Sequence, residues 1–139
     1  MSQKRLMYLP LGGAGEVGMN CYVYGYGPRD KERLIVVDLG VTFPDMDSSP
    51  GVDLIIPDIA WLEARKDRID GIFITHAHED HYGALLHLWP KLKVPVYATP
   101  FTAELVRGAL VPRVDDSVLD TVLEIADSAI TCARRMPVE

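Results

Sequence analysis

Three of the four histidines of this chain lie within six residues, together with an aspartate. His76 and His78 are two residues apart, so on an extended segment their imidazoles leave the same face. Asp80 and His81 follow where the chain turns into a helix. Adjacent helical residues point about 100° apart, so these two can face different points, one shared with the His76/His78 ion and one beside it. Imidazole and carboxylate suit zinc, manganese or iron. The sequence therefore predicts a metal centre.

Each of these residues taken singly has an ordinary explanation. An aspartate just before a helix is commonly an N-cap, and a single histidine is commonly a hydrogen-bonded polar residue. Four such residues together are not explained in this way, because His/Asp clusters at ligand spacing mark sites. His87 lies about 240° further round the helix than His81, so we expect a surface histidine there.

Two strands are expected to deliver and support this cluster. A strand over 71–75 carries the cluster at its C-terminal end, and a helix over 81–89 follows it. The short apolar strand 33–37 reads as buried on both faces, and Asp38 ends it. A buried carboxylate needs partners, so Asp38 is predicted either to support the metal ligands or to form an Asx turn with Gly40.

The glycine-rich stretch 12–18 is a second candidate functional loop. Its GxGxxG spacing would suit a dinucleotide, but such a loop must open a helix. Residues 19–26 instead alternate like a strand. We therefore expect a tight loop that lets the backbone approach the metal cleft. Glu16 and Asn20 are its polar groups, with local turn hydrogen bonding as their alternative role.

The stretch Thr-His-Ala-His-Glu-Asp-His-Tyr-Gly-Ala at 75–84 resembles the HxHxDH signature of the metallo-β-lactamase superfamily. Further stretches resemble the ribonuclease J family, which is of the β-CASP type: 11–20, 37–40, 43–44 and 51–58. The resemblance implies an α/β fold, the first half of an αββα sandwich with a mixed sheet and outer helices. It predicts the N-terminal part of that domain over 1–110. Residues 111–139, an amphipathic helix and tail, do not align.

The resemblance also implies a function, which is metal-dependent hydrolysis of single-stranded RNA in RNA processing and decay. Two zinc ions are implied, with manganese possible. His76 and His78 would hold one ion, and Asp80 and His81 would hold the other and be catalytic. Asp38 would support them. In the resembled family further histidine ligands come later in the chain, yet no histidine follows His87.

The chain alone is therefore expected to be inactive or nearly so. It is expected to act as a homo-oligomer or with a missing C-terminal portion. Two other function classes stay open. One is a different metallo-β-lactamase-fold hydrolase, acting on a thioester, a lactone or a small phosphodiester. The other is a non-catalytic metal-binding or interaction module.

Composition sets outer bounds on these hypotheses. A chain of 139 residues with 48% hydrophobic residues is one domain or part of one. The net charge of −6 disfavours binding to RNA, since nucleic-acid-binding proteins usually carry a basic surface. Bound divalent ions would offset part of this negative charge locally. Cys21 and Cys132 are expected to be free thiols. The sequence lacks a long apolar run and a signal-peptide core, which predicts a cytoplasmic protein with no membrane contact.

Overall fold

A mixed five-stranded sheet, in the order β1-β2-β3-β4-β5, organises the chain. The computed structural model describes residues 3–45, 47 and 49–110, with the backbone alone at 109 and 110. The strands are β1 (Lys4–Gly12), β2 (Cys21–Pro28), β3 (Arg33–Val37), β4 (Ile69–Phe73) and β5 (Val96–Tyr97). The first three form an antiparallel meander, while β3, β4 and β5 are parallel. The predicted α/β class with a mixed sheet is confirmed.

Four short helices accompany the sheet: α1 (Ala60–Glu63), α2 (Glu79–Tyr82), α3 (Leu85–Leu92) and α4 (Pro100–Leu110). A 3-10 turn, Lys66–Arg68, leads into β4. In the described ranges no helix has the length and apolarity needed to cross a membrane. The helices bury their apolar side chains against one face of the sheet. This core includes Val23, Leu34, Val36, Ile72, Leu62, Leu85, Leu88 and Val106.

The opposite face of the sheet is apolar but exposed, and we call it the open face. Cross-strand pairing sets Tyr8 opposite Tyr24 and Leu6 opposite Tyr26. The exposed fractions of these side chains are 52%, 37%, 75% and 60% in that order. Phe73, stacked on Tyr97 at 4.8 Å between ring centroids, extends this surface. Among the described residues, the helices thus cover only one side of the sheet, as expected for the first half of a sandwich.

Several predicted elements differ in detail from the structure. The strand 33–37 is not buried on both faces, because Ile35 and Val37 lie on the open face and are only half-buried. The helix predicted over 81–89 is two helices, interrupted at Gly83 and Ala84. The sequence also predicts a helix that is capped by Asp58 and runs to Lys66. The observed helix α1 ends earlier, at Glu63, although Asp58 does accept a hydrogen bond from the backbone of Ala60 (2.9 Å). The amphipathic helix predicted after residue 111 lies outside the described residues.

An ion pair with a buried carboxylate lies at the end of the sheet that is away from the histidines. Glu32, in the turn between β2 and β3, is only 1% exposed. Its carboxylate accepts a hydrogen bond from Arg5 Nε at 2.7 Å, and Arg68 Nη1 lies 3.8 Å away. A hydrogen bond from its own backbone N–H, assisted by Arg5, lowers the pKa of Glu32 against the opposing effect of burial.

Candidate metal centre

The site lies where two parallel strands end side by side. Asp38 directly follows β3, and its backbone N–H donates to the carbonyl of Phe73, the last residue of β4 (2.9 Å). Thr75 comes two residues after β4, so Asp38 and Thr75 emerge next to each other at the same edge. Asp38 adopts a left-handed backbone conformation with φ of 64°, which aspartate tolerates better than most residues. The sheet therefore sets the relative position of these two side chains.

The turn at 78–83, which carries Asp80 and His81, is tied to two neighbouring segments through its backbone. Three N–H groups donate to three consecutive carbonyls at 2.7–3.1 Å: Val41 to Glu79, Asn20 to Asp80, and Leu39 to His81. A Cβ at Gly40 would lie 1.7 Å from the carbonyl oxygen of Asp80. Only glycine allows this approach, since real Cβ atoms do not come so near. The ligand turn is therefore held by long-range backbone contacts as well as by its short helix.

The structure brings all four predicted ligands to this edge. The ring centroids of His76 and His81 are 3.9 Å apart, and those of His76 and His78 are 4.7 Å apart. His76 and His78 are exposed, whereas Asp80 and His81 are half-buried. Within the described residues, no three His, Cys, Asp or Glu side chains form a group that could hold an ion. The ligand role of these residues stays a prediction.

Asp38 orients the imidazole of His81. Its Oδ2 lies 2.7 Å from His81 Nδ1, and its carboxylate also accepts from the backbone N–H (2.8 Å) and the hydroxyl (2.9 and 3.0 Å) of Thr75. A carboxylate accepts only, so His81 carries a proton on Nδ1, and in the neutral form of the ring the lone pair is then on Nε2. In the alternative Asx turn, the backbone N–H of Gly40 would donate to the Asp38 carboxylate. It donates instead to the carbonyl of Asn20 (2.9 Å). Asp38 thus contacts the candidate ligand His81, as the support hypothesis expects.

Asp80 and His81 face one point, and not the different points that their helical spacing suggests, and they have the separation that a shared ion requires. His81 Nε2 lies 3.3 Å from Asp80 Oδ2. Two ligands on a tetrahedral zinc ion with bonds of about 2.0–2.1 Å are themselves about 3.3–3.4 Å apart. The donor atoms are also of the right chemical kind, namely an imidazole nitrogen and a carboxylate oxygen. This pair therefore fits a divalent ion of the kind that the sequence predicts.

Thr75 plays a part that the sequence reasoning did not assign to it. Its hydroxyl oxygen lies 3.0 Å from His76 Nδ1. The hydroxyl has one proton, which goes to the acceptor-only carboxylate of Asp38. Thr75 must then accept from the Nδ1–H of His76, which leaves Nε2 of His76 with its lone pair. Asp38 thereby fixes the tautomers of two imidazoles, one directly and one through Thr75.

The two polar residues predicted on the cleft loop behave differently. Glu16 is exposed, and its carboxylate accepts from the backbone N–H of Gly13 (3.3 Å), a local turn contact. Asn20 instead reaches across the site. Its Nδ2 lies 3.0 Å from the carbonyl oxygen of Asp80, 3.3 Å from Asp80 Oδ2 and 3.3 Å from His81 Nε2. The Tyr22 hydroxyl donates to Asn20 Oδ1 at 2.8 Å.

Tyr22 was not among the predicted site residues, although a signal for it existed. It follows Asn20 by two residues, which is the spacing that placed His76 and His78 on one face. Burial, followed by the nearby charges of Tyr8 and Asp38, raises the pKa of Tyr22 above 10.0. Its hydroxyl therefore stays protonated and can donate at neutral pH.

Cys21 lies beside the site but is unsuited to ligate an ion at neutral pH. It is a free, fully buried thiol. Burial, together with the negative charge of Asp38, raises the pKa of Cys21 from 9.0 to about 12. The thiolate is the form that binds metals, so histidine and aspartate are the relevant donors here.

A mixed sheet with helices on one face, and a His/Asp cluster at the ends of parallel strands, define an α/β protein with a candidate metal centre. The model of the metallo-beta-lactamase superfamily matches residues 14–129. The chain belongs to this superfamily. The expected superfamily membership and fold are therefore confirmed.

Within the superfamily the chain is similar to ribonucleases J. It is 57% identical over 105 residues to ribonuclease J of Sinorhizobium meliloti, a match covering 76% of this chain and 18% of the relative. It is 43% identical over 105 residues to ribonuclease J of Helicobacter pylori, covering 76% and 14%. With ribonuclease J2 of Bacillus subtilis it shares 42% identity over 102 residues, covering 73% and 18%. The chain thus spans less than a fifth of the length of these relatives.

Proposed function

We propose that this chain forms part of a metal-dependent ribonuclease that hydrolyses phosphodiester bonds of single-stranded RNA. The observation that carries the proposal is the pairing of His81 and Asp80. Asp38 contacts Nδ1 of His81 at 2.7 Å, so that Nε2 of the same ring faces the Asp80 carboxylate at 3.3 Å. The similarity to ribonucleases J supports RNA as the substrate class. RNA processing and decay in the cytoplasm is the setting that we propose.

Two divalent ions, zinc or manganese, are the proposed cofactors. His76 and His78 would hold one ion, while Asp80 and His81 would hold the other and act as the catalytic residues. When bound, such ions polarise the phosphodiester and lower the pKa of a bound water to about 7. The chain's own contribution is to fix the donor atoms. Asp38 and Thr75 present the Nε2 atoms of His81 and His76, and the turn at 78–83 is fixed through its backbone.

The test begins with metal content. The purified chain is expected to retain zinc or manganese after dialysis, as measured by mass spectrometry of the metal. Changes to residues that only support a ligand typically cost about 10–100-fold in metal affinity. The loss of two ligands in a His76→Ala/His78→Ala variant should cost at least that. His87→Ala is the matched control, because His87 is exposed on α3. Equal metal content in all three proteins would overturn the proposal.

Substrate assays then separate the proposal from its alternatives. Metal-dependent cleavage of single-stranded RNA, even if slow, supports the ribonuclease. Turnover of a thioester, a lactone or a small phosphodiester in place of RNA would identify another hydrolase of this superfamily. Metal binding without hydrolysis of any of these substrates would favour a non-catalytic module.

The open face supports a further part of the proposal, which concerns assembly. We propose that the chain self-associates through this face, because exposed apolar patches of this kind mark interaction surfaces. Sedimentation should show oligomers whose population falls when Leu6 and Tyr26 are both replaced by lysine. Asp53→Lys is the control, because Asp53 is exposed. A monomeric wild-type chain at high concentration would exclude a homo-oligomer.

A further inference from the structure

The Asn20 side chain connects two parts of the molecule that are far apart in sequence. At one end its Oδ1 accepts from the hydroxyl of Tyr22 at 2.8 Å. At the other end its Nδ2 lies 3.3 Å from both Asp80 Oδ2 and His81 Nε2. The amide therefore touches the two atoms that are proposed to share an ion, sixty positions further along the chain.

The orientation of this amide is determined by its partners. Nδ2 also lies 3.0 Å from the backbone carbonyl of Asp80, and neither that carbonyl nor the Asp80 carboxylate can donate a proton. The NH₂ group must therefore face Asp80. The carbonyl end must then face Tyr22, whose hydroxyl donates to it. A rotation of the amide by 180° would place oxygen against oxygen at Asp80, so only one orientation satisfies the contacts.

Packing holds the amide in this position. Gly13 lies directly over it, so that a Cβ at Gly13 would be 2.5 Å from both Asn20 Oδ1 and the Tyr22 hydroxyl. The backbone of Asn20 is fixed as well, because its N–H donates to Asp80 O (3.0 Å) and its carbonyl accepts from Gly40 N (2.9 Å). Both the main chain and the side chain of Asn20 are thus anchored.

We propose that Asn20, oriented by Tyr22, is a positioning residue for the ion assigned to Asp80 and His81, which we call the second ion. It keeps the Asp80 carboxylate and His81 Nε2 facing one shared point and does not ligate the ion itself. A carboxylate has about four lone-pair sites, so Asp80 can accept from the amide and still bind the ion. The inference rests on the proposed metal centre and adds to it a residue that controls one ion and not the other.

Stepwise cobalt(II) binding to the metal-free chain tests this inference. Calorimetry would give the affinity of each step, and the visible spectrum of cobalt would report its coordination. In Asn20→Ala the step assigned to Asp80 and His81 should weaken by about 10–100-fold. The His76/His78 step should be unchanged, whereas a general loss of structure would weaken both steps. The thermal unfolding midpoint of each metal-free variant checks for such a loss.

A phenylalanine pair supplies a milder test that keeps the fold. Tyr22→Phe removes one hydrogen bond worth about 1 kcal/mol, so the affinity for the second ion, at Asp80 and His81, should fall about fivefold. Tyr24→Phe is the matched control, because Tyr24 lies on the same strand and face, packed against Tyr8 at 5.2 Å. It should leave both steps unchanged.

The outcomes separate this inference from the proposed function. Unchanged binding of the second ion in both Asn20→Ala and Tyr22→Phe would overturn the inference and leave the metal centre standing. Tighter binding in Asn20→Ala would also overturn it, since the amide would then compete with the ion. A wild-type chain that binds no cobalt would instead overturn the metal centre itself, and the inference with it.

Discussion

His81 Nδ1 lies 2.7 Å from Asp38 Oδ2, and this contact decides which nitrogen of the imidazole is free. Asp38 is only 2% exposed, so its charge is removed from water and needs hydrogen-bond donors. Thr75 and His81 supply those donors. The same contacts that satisfy the buried carboxylate therefore also present His81 Nε2 to the site, and folding and ligand geometry become coupled.

Asp38→Asn should reverse the tautomer of His81. The backbone N–H of Thr75 cannot change, so the amide oxygen of the new asparagine must stay there and its NH₂ must face His81. His81 can then only accept at Nδ1, which moves its proton to Nε2 and removes the lone pair for the ion. We expect the loss of metal at Asp80 and His81, and a loss of about 1–3 kcal/mol in the free energy of unfolding. Long-range proton–nitrogen spectra of the imidazole would show the change.

Asp53→Asn is the control for this variant, because Asp53 lies in an exposed loop. It should leave the His81 tautomer, metal content and stability unchanged. An Asp38→Asn protein with an Nδ1-protonated His81 and wild-type metal affinity would contradict the proposed role of Asp38.

Gly13 and Gly15 form a matched pair for testing the glycine loop. Their φ angles are 80° and 78°, so alanine should cost each about 1–2 kcal/mol of backbone strain. A Cβ at Gly15 meets nothing within 4 Å, whereas a Cβ at Gly13 would strike Asn20 and Tyr22. Both variants should be destabilised, but only Gly13→Ala should weaken the second metal-binding step. Equal metal binding by the two variants would mean that the loop tolerates displacement of Asn20.

Glu32 should make stability sensitive to acid. Because its folded-state pKa is lowered from 4.5, its contribution is present above the unfolded-state pKa and is lost as the pH falls through the folded-state pKa. Glu32→Gln should therefore lower stability at neutral pH and flatten the acid limb below about pH 4.5. Denaturant unfolding at several pH values measures this, with metal binding unchanged. Asp70→Asn is the control, since the Arg33–Asp70 pair is about half exposed and worth little.

Short-range patterns in the sequence predicted much of the fold and selected the candidate ligands, whose role stays a prediction. Alternation predicted a strand over 19–26, close to the observed β2, and the strand predicted over 33–37 has the observed bounds of β3. The spacing of the histidines and the aspartate at 76–81 indicated these residues as candidate ligands. Asp38 was found because a carboxylate at the end of an apolar strand has to be explained.

Contacts between distant segments could not be predicted in the same way. The helix after His81 is interrupted because the carbonyl of Leu39 takes the N–H of Ala84 (2.9 Å), which no local pattern reveals. Asn20 has a chemistry that suits a turn as well as a site, and only the folded chain brings it to Asp80. Tyr22 looked like one of several tyrosines on a strand, and its hydroxyl contact depends on the position of Asn20.

The last prediction is that this chain alone hydrolyses RNA poorly. A catalytic zinc ion normally takes three protein ligands, yet in the proposed assignment His76, His78, Asp80 and His81 would serve two ions at two apiece. Each ion would be under-coordinated and poorly fixed, and misplacing reacting groups by about 1 Å can cost 10²-fold in rate. Single-stranded RNA cleavage should therefore be at least about 10²-fold slower than by ribonuclease J of Sinorhizobium meliloti. A comparable rate that Asp80→Ala abolishes would show that the chain assembles a complete site.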